Sequence, residues 1–171
     1  MDSNQDQFLR DEFFSLTLMG TVQRAHVYAK DSTEKARKPF QGALRAELER
    51  LENEYREPVG EETHVQNILR LSSHLSSNHA KILQNGCFRV GLAQKALNLY
   101  LKYLWCLGII PEPPHCPFDS LVISRLRDYH GPKSWVFLKT EDQYRALIRA
   151  AKATAEGVSL ATWELKLYNA S

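Results

Sequence analysis

Lys95 and Asp119 are the residues of this chain whose types and setting best suit chemistry. Lys95 lies in the apolar run Val90 to Leu104, and Asp119 follows the proline-rich segment Pro111-Glu112-Pro113-Pro114-His115-Cys116-Pro117. A partly desolvated lysine loses proton affinity and can attack an electrophilic carbon, whereas an Asp at a helix start stays ionised. Such a carboxylate can stabilise developing positive charge or accept the amine proton. Both residues also have plain structural uses, since Asp is among the commonest helix N-caps and a lysine on a buried helix can simply extend its head to water.

Chain geometry allows the two to meet. From Lys95 to Gly108 a helix advances roughly 20 Å, and residues 109–118, if extended, reach at most about 33–36 Å. The return segment can therefore carry Asp119 back beside Lys95, so that two helix starts share one cleft. Other chemistry finds less support. His115 and Cys116 are zinc-ligand types, but with Cys87 and Cys106 they lack the short paired spacing of a metal site, so neither a metal nor a cofactor is expected. As a nucleophile and base they fare no better, because sequence neighbours on an extended segment point apart. No phosphate-loop, Gly-x-Ser-x-Gly or His-Glu-x-x-His motif occurs.

The elements that must hold this pair read as helices throughout. Leu9, Phe13, Leu16, Met19 and Val22 recur at helical steps over about Phe8 to Ala29. Pro39 predicts a break or first turn before a helix over Gln41 to Tyr55, and Pro58 with Gly60 ends it. A third helix is expected from Glu61 to about His74, with a boundary in Ser72 to Asn78 and a short helix to Leu83. Asn85-Gly86 is a stop signal, and Val90-Gly91 opens a helix, apolar nearly all round, that ends near Gly108. The prolines force irregular backbone over 111–117. Asp119 then starts a helix to about Tyr129, Thr140 with Gln143 makes a capping box for one to about Ala155, and Ser159 caps a last one through Leu167. The fold expected is all-α: a compact orthogonal helical domain of about seven or eight helices spanning residues 1–171.

Charge is uneven along it. Residues 1–80 hold 10 Lys/Arg against 13 Asp/Glu, while residues 81–152 hold 11 against 5. Acidic N-terminal helices (1–58) thus precede a basic core (61–171) containing the pair, as expected if that part faces a polyanion. A solvated helix surface accounts for the same count. The three cysteines form no paired framework, the acidic N-terminus lacks the order of an export peptide, and no apolar run is long enough to cross a bilayer. A cytoplasmic protein without a membrane partner is expected.

The run Val90-Gly91-Leu92-Ala93-Gln94-Lys95-Ala96-Leu97-Asn98-Leu99-Tyr100-Leu101-Lys102, followed by Pro114-His115-Cys116-Pro117-Phe118-Asp119-Ser120, resembles the active-site segment of helix-hairpin-helix DNA glycosylases. It looks most like their divergent archaeal 8-oxoguanine branch, where a lysine opens an apolar helix and a Pro-hydrophobic-Asp motif follows. The likeness covers about residues 77–120. It implies a divergent helix-hairpin-helix near residues 77–108, with Lys95 as the Schiff-base nucleophile and Asp119 as its partner. DNA is then the expected ligand, and Lys81, Gly86, Arg89 and Gly91 would hold its phosphates, the glycines through their amides. The target nucleotide would be flipped out to reach Lys95. Tyr100, Trp105, Trp135 and Phe137 are available for stacking, although such aromatics mainly serve packing. The competing expectation is a non-enzymatic module that binds a protein partner through its N-terminal helices.

Overall fold

The helix that is apolar nearly all round organises the fold. In the computed structural model, which describes residues 3–23 and 25–170, this helix, α4 (Val90–Cys106), packs against α1 (Ser3–Leu18), α2 (Glu34–Glu54), α3 (Glu61–His79) and α6 (Glu141–Ala155). Leu92, Ala93, Ala96, Leu97, Leu101 and Leu104 are completely buried in it. The short α5 (Ser120–Ser124) and the C-terminal α7 (Leu160–Asn169) complete seven α-helices among the described residues. Among the described residues there is no strand, only an isolated bridge between Tyr28 and Leu83. The expected all-α class is the observed one. No helix among them is long and apolar enough to cross a membrane.

Two pairs of contacts fix how α3 and α4 run. Ser72 Oγ donates to the Phe88 carbonyl at 2.6 Å, and the His64 ring bonds Asn98 at 2.8 Å. Positions advancing along α3 thus meet positions receding along α4, so the two helices are antiparallel around the connection 80–89. That connection is a pair of 3-10 turns, Ala80–Ile82 and Gln84–Gly86, with Asn85 and Gly86 both left-handed at φ 55° and 66°. Left-handed backbone is cheap at glycine and tolerable at asparagine, which is why Asn85-Gly86 stops the chain here.

Four boundaries differ from the sequence expectation. The first helix gives way at Leu18 to a π-helical turn, Met19–Gln23, and residues 27–29 instead pair with 82–84. Helix α2 starts at Glu34 and runs through Pro39, its N-terminus capped by Thr33. An interior proline costs roughly 3 kcal/mol, but Phe40, Leu44, Leu48 and Leu51 are at most 1% exposed, and each such burial returns about 1.5–3 kcal/mol. Helix α3 continues unbroken to His79 because its serines turn toward the hairpin: Ser72 bonds Phe88 and Ser76 Oγ accepts from the Phe88 amide at 2.9 Å. Helix α5 ends at Ser124 rather than near Tyr129. The capping box at Thr140 and Gln143 and the Ser159 cap form as expected.

Candidate functional site

On α4 the consecutive residues Gln94 and Lys95 meet the consecutive residues Phe118 and Asp119. Gln94 Nε2 donates to the Phe118 carbonyl at 2.8 Å, and the Phe118 amide donates back to Gln94 Oε1 at 3.2 Å. This two-point clamp is fully buried and fixes the peptide just before Asp119. Lys95 Nζ then lies 2.9 Å from Asp119 Oδ2, while Asp119 Oδ1 accepts from the Val122 amide at 3.0 Å and caps α5. Burial pushes the Asp119 carboxyl up, but the Lys95 charge and the bonds from Val122, Lys95 and Leu121 outweigh it, so its pKa falls below the ordinary value. Lys95 is 7% exposed.

The pair opens onto a cleft of about 380 Å³ whose walls include Gly20, Ser120, Ser134 and Trp135. Gly20 belongs to the π turn, and π turns recur at functional sites. Trp135 starts a 3-10 turn, Trp135–Phe137, that lies directly on α4. Gly91 makes this approach feasible: a Cβ there would sit 1.8 Å from the Trp135 carbonyl oxygen.

A directed hydrogen-bond network backs the site. The Tyr55 hydroxyl donates to His64 Nδ1 at 2.6 Å, and His64 Nε2 donates to Asn98 Oδ1 at 2.8 Å. The Asn98 amide donates to Gln94 Oε1 and to the Tyr144 hydroxyl oxygen, both at 3.3 Å. The Tyr144 hydroxyl in turn donates to His115 Nδ1 at 2.8 Å, leaving the buried Nε2 of His115 facing Glu61 at 3.6 Å. Both imidazoles are assigned as neutral Nε2–H tautomers by this pattern of donors and acceptors. Burial, with Lys152 and Arg145 nearby, lowers the His115 pKa to about 3. Burial first, and the repulsion between two adjacent rings were both protonated, hold His64 well below its ordinary value. Cys116 is shut away too, its thiol raised first by burial and then by Glu164, so it stays protonated.

The four residues expected to hold phosphate lie differently. Lys81 is exposed in the first 3-10 turn. Arg89 is half-buried and donates to the Ala25 carbonyl at 3.2 Å. The hairpin amides point inward: Gly86 N donates to Leu83 O at 3.0 Å, Gln84 N to Val27 O at 2.8 Å, and Gly91 N to Leu138 O at 3.0 Å. The expectation that Gly86 and Gly91 offer free amides to a phosphate is therefore corrected, because each amide has its acceptor within the protein. Of the four aromatics, Tyr100 is buried and donates to Glu52, Trp105 is partly buried, Trp135 lines the cleft, and Phe137 is 61% exposed.

Sequence reasoning passed over Gln94. Its signal was a polar side chain one place before Lys95 in a helix otherwise apolar nearly all round, and buried polar groups require partners. Comparison of the chain with protein-family models, with curated proteins and with solved structures finds no match.

Proposed function

We propose that the chain acts on damaged DNA as a glycosylase with lyase activity, using Lys95 as nucleophile and Asp119 as its carboxylate partner. One observation carries the reading: an amine nearly removed from solvent lies 2.9 Å from an ionised carboxylate at the wall of an open cleft. Asp119 is close enough to take a proton from the Lys95 amine and, as an anion, favours the positive charge that develops on a sugar as its base departs. The freed amine attacks the anomeric carbon while the carbon–nitrogen bond to the base breaks. The base leaves with that electron pair and is protonated. Opening of the sugar ring then breaks its carbon–oxygen bond, the ring oxygen takes a proton, and an imine joins Lys95 to the sugar. The likeness to the helix-hairpin-helix glycosylases around Lys95 and Asp119 supports the same assignment.

Borohydride reduction of that imine gives a stable adduct. Duplexes carrying oxidised, deaminated or abasic sites should be trapped by the native chain, whereas Lys95→Gln should trap none and Asp119→Asn should trap at least about 100-fold more slowly, the scale of one acid–base or electrostatic contribution. An adduct undiminished in Lys95→Gln would remove Lys95 from the reaction. A second reading draws on Phe8 and Leu16 of α1, which are 62% and 40% exposed: a protein-binding module using its N-terminal helices. Failure of the native chain both to trap and to bind duplex at low salt would favour it.

A further inference from the structure

With the amides of Gln84, Gly86 and Gly91 bonded inside the protein, a phosphate near the cleft must find other donors. Sorting the cations of the basic stretch by partner narrows the choice. Lys95, Lys102, Arg127, Arg145 and Lys152 each face a carboxylate, and the half-buried Arg89 gives its Nη2 to the Ala25 carbonyl. Among the described residues of this stretch, Lys81, Arg125, Lys133, Lys139 and Arg149 are exposed and pair with no carboxylate.

Two of these five, Arg125 and Lys133, lie on the chain segments that supply the cleft wall. Arg125 is the C-cap of α5, the helix that begins at Asp119 and contributes Ser120 to the wall. From Asp119 to Arg125 the short helix advances only about 9 Å. Lys133 immediately precedes Ser134, which lines the opposite stretch of wall. The same two segments expose apolar side chains, Leu121 at 39% and Phe137 at 61%. The loop between them lines a second concavity of about 630 Å³ that includes Arg127, Asp128, His130 and Arg149. Free cations interleaved with exposed apolar groups suit a ligand that carries phosphates and flat bases, and a merely solvated face has no need of the latter.

We infer that the surface carried by residues 120–125 and 133–137, of which Ser120, Leu121, Ser134, Trp135 and Val136 line the cleft, is the contact surface for the DNA backbone. Arg125 and Lys133 hold phosphates beside the nucleotide that enters the cleft, and the hairpin at 80–89 holds none through its amides. The inference rests on the proposed DNA reading and goes beyond it by moving the phosphate contacts from the hairpin to the other side of the cleft.

The test uses the full chain and a fluorescein-labelled duplex of about 20 base pairs containing a tetrahydrofuran abasic analogue. Its dissociation constant is measured across a potassium chloride series for the native chain, Arg125→Glu, Lys133→Glu, the double variant and Lys81→Glu. Each reversal at the wall should weaken binding about 10-fold or more and reduce the slope of log K against log salt by about one per cation. Lys81→Glu should remain within about 2-fold of the native chain. Circular dichroism verifies that these exposed positions leave the fold intact. Reversals that change neither affinity nor slope, or a loss in Lys81→Glu as large as theirs, would overturn the inference while leaving the DNA reading in place. If the native chain binds no duplex at low salt, the reading and the inference fall together.

Discussion

Gly91→Ala should destabilise the chain by about 3 kcal/mol, although alanine is the better helix former by roughly 0.5–1 kcal/mol. The added Cβ would lie 1.8 Å from the Trp135 carbonyl oxygen and 2.9 Å from its carbon. Neither partner can yield cheaply. On one side is α4, buried on nearly every face, and on the other is backbone tied to it by the Gly91 N to Leu138 O bond of 3.0 Å. Separation by even an ångström breaks that bond and leaves two buried polar groups unpaired, each costing about 1–3 kcal/mol. It also draws Trp135 out of the cleft wall, so trapping through Lys95 should fall with stability. The control is Gly42→Ala in α2, where nothing lies within 4 Å of the added carbon. That substitution should raise stability by about 0.5–1 kcal/mol. Urea unfolding of both variants gives the comparison, and a Gly91→Ala midpoint equal to the native one would show that the close approach does not exist.

Acid should unfold the chain from well above the carboxylate range. His115 titrates in the unfolded chain near 6.5 and in the folded one at about 3. Between these values the unfolded state binds the extra proton, so stability is full above pH 6.5 and is lost as pH falls toward 3. The gap corresponds to a contribution on the order of 5 kcal/mol at neutral pH. His64, lowered by burial and by His115, adds in the same direction. Glu164 works the other way, since its burial raises its pKa despite the Lys102 partner. The window therefore opens below pH 6.5, where stability should fall by up to about 1.4 kcal/mol per pH unit for each histidine, offset in part by Glu164. Urea midpoints at three pH values in that window should show the slope. His115→Gln should reduce it by about half, whatever its effect on absolute stability. A slope that His115→Gln leaves unchanged would mean that His115 is not held neutral by the core.

The His115 result bears on the site because the same network runs from His115 through Tyr144 and Asn98 to Gln94, whose clamp on Phe118 aligns Asp119 with Lys95. Protonating His115 would leave Tyr144 without its acceptor at the far end of that chain. The buried polar residues are thus part of what gives the Lys95 and Asp119 pair one geometry.

Much of this was written in short stretches of sequence. The Thr140 and Gln143 capping box, the Ser159 cap, the left-handed stop at Asn85-Gly86, the irregular prolines and Asp119 as a helix N-cap all depend on groups within about four residues of one another. The apolar pattern of residues 90–104 likewise determined that α4 would be a buried helix. For Lys95 and Asp119, sequence set only the permission to meet, since the length of the return segment allows a range of positions. Their 2.9 Å contact was decided by the Gln94 clamp, 24 residues away from Phe118 in the chain. The fate of each glycine amide was decided the same way: Gly91 gave its hydrogen bond to Leu138 and its missing side chain to Trp135, neither of which a local pattern can name. Local hydrogen bonds and helical periodicity are fixed by neighbours in the chain, whereas the acceptor of a given buried donor is whatever the packed core brings to it.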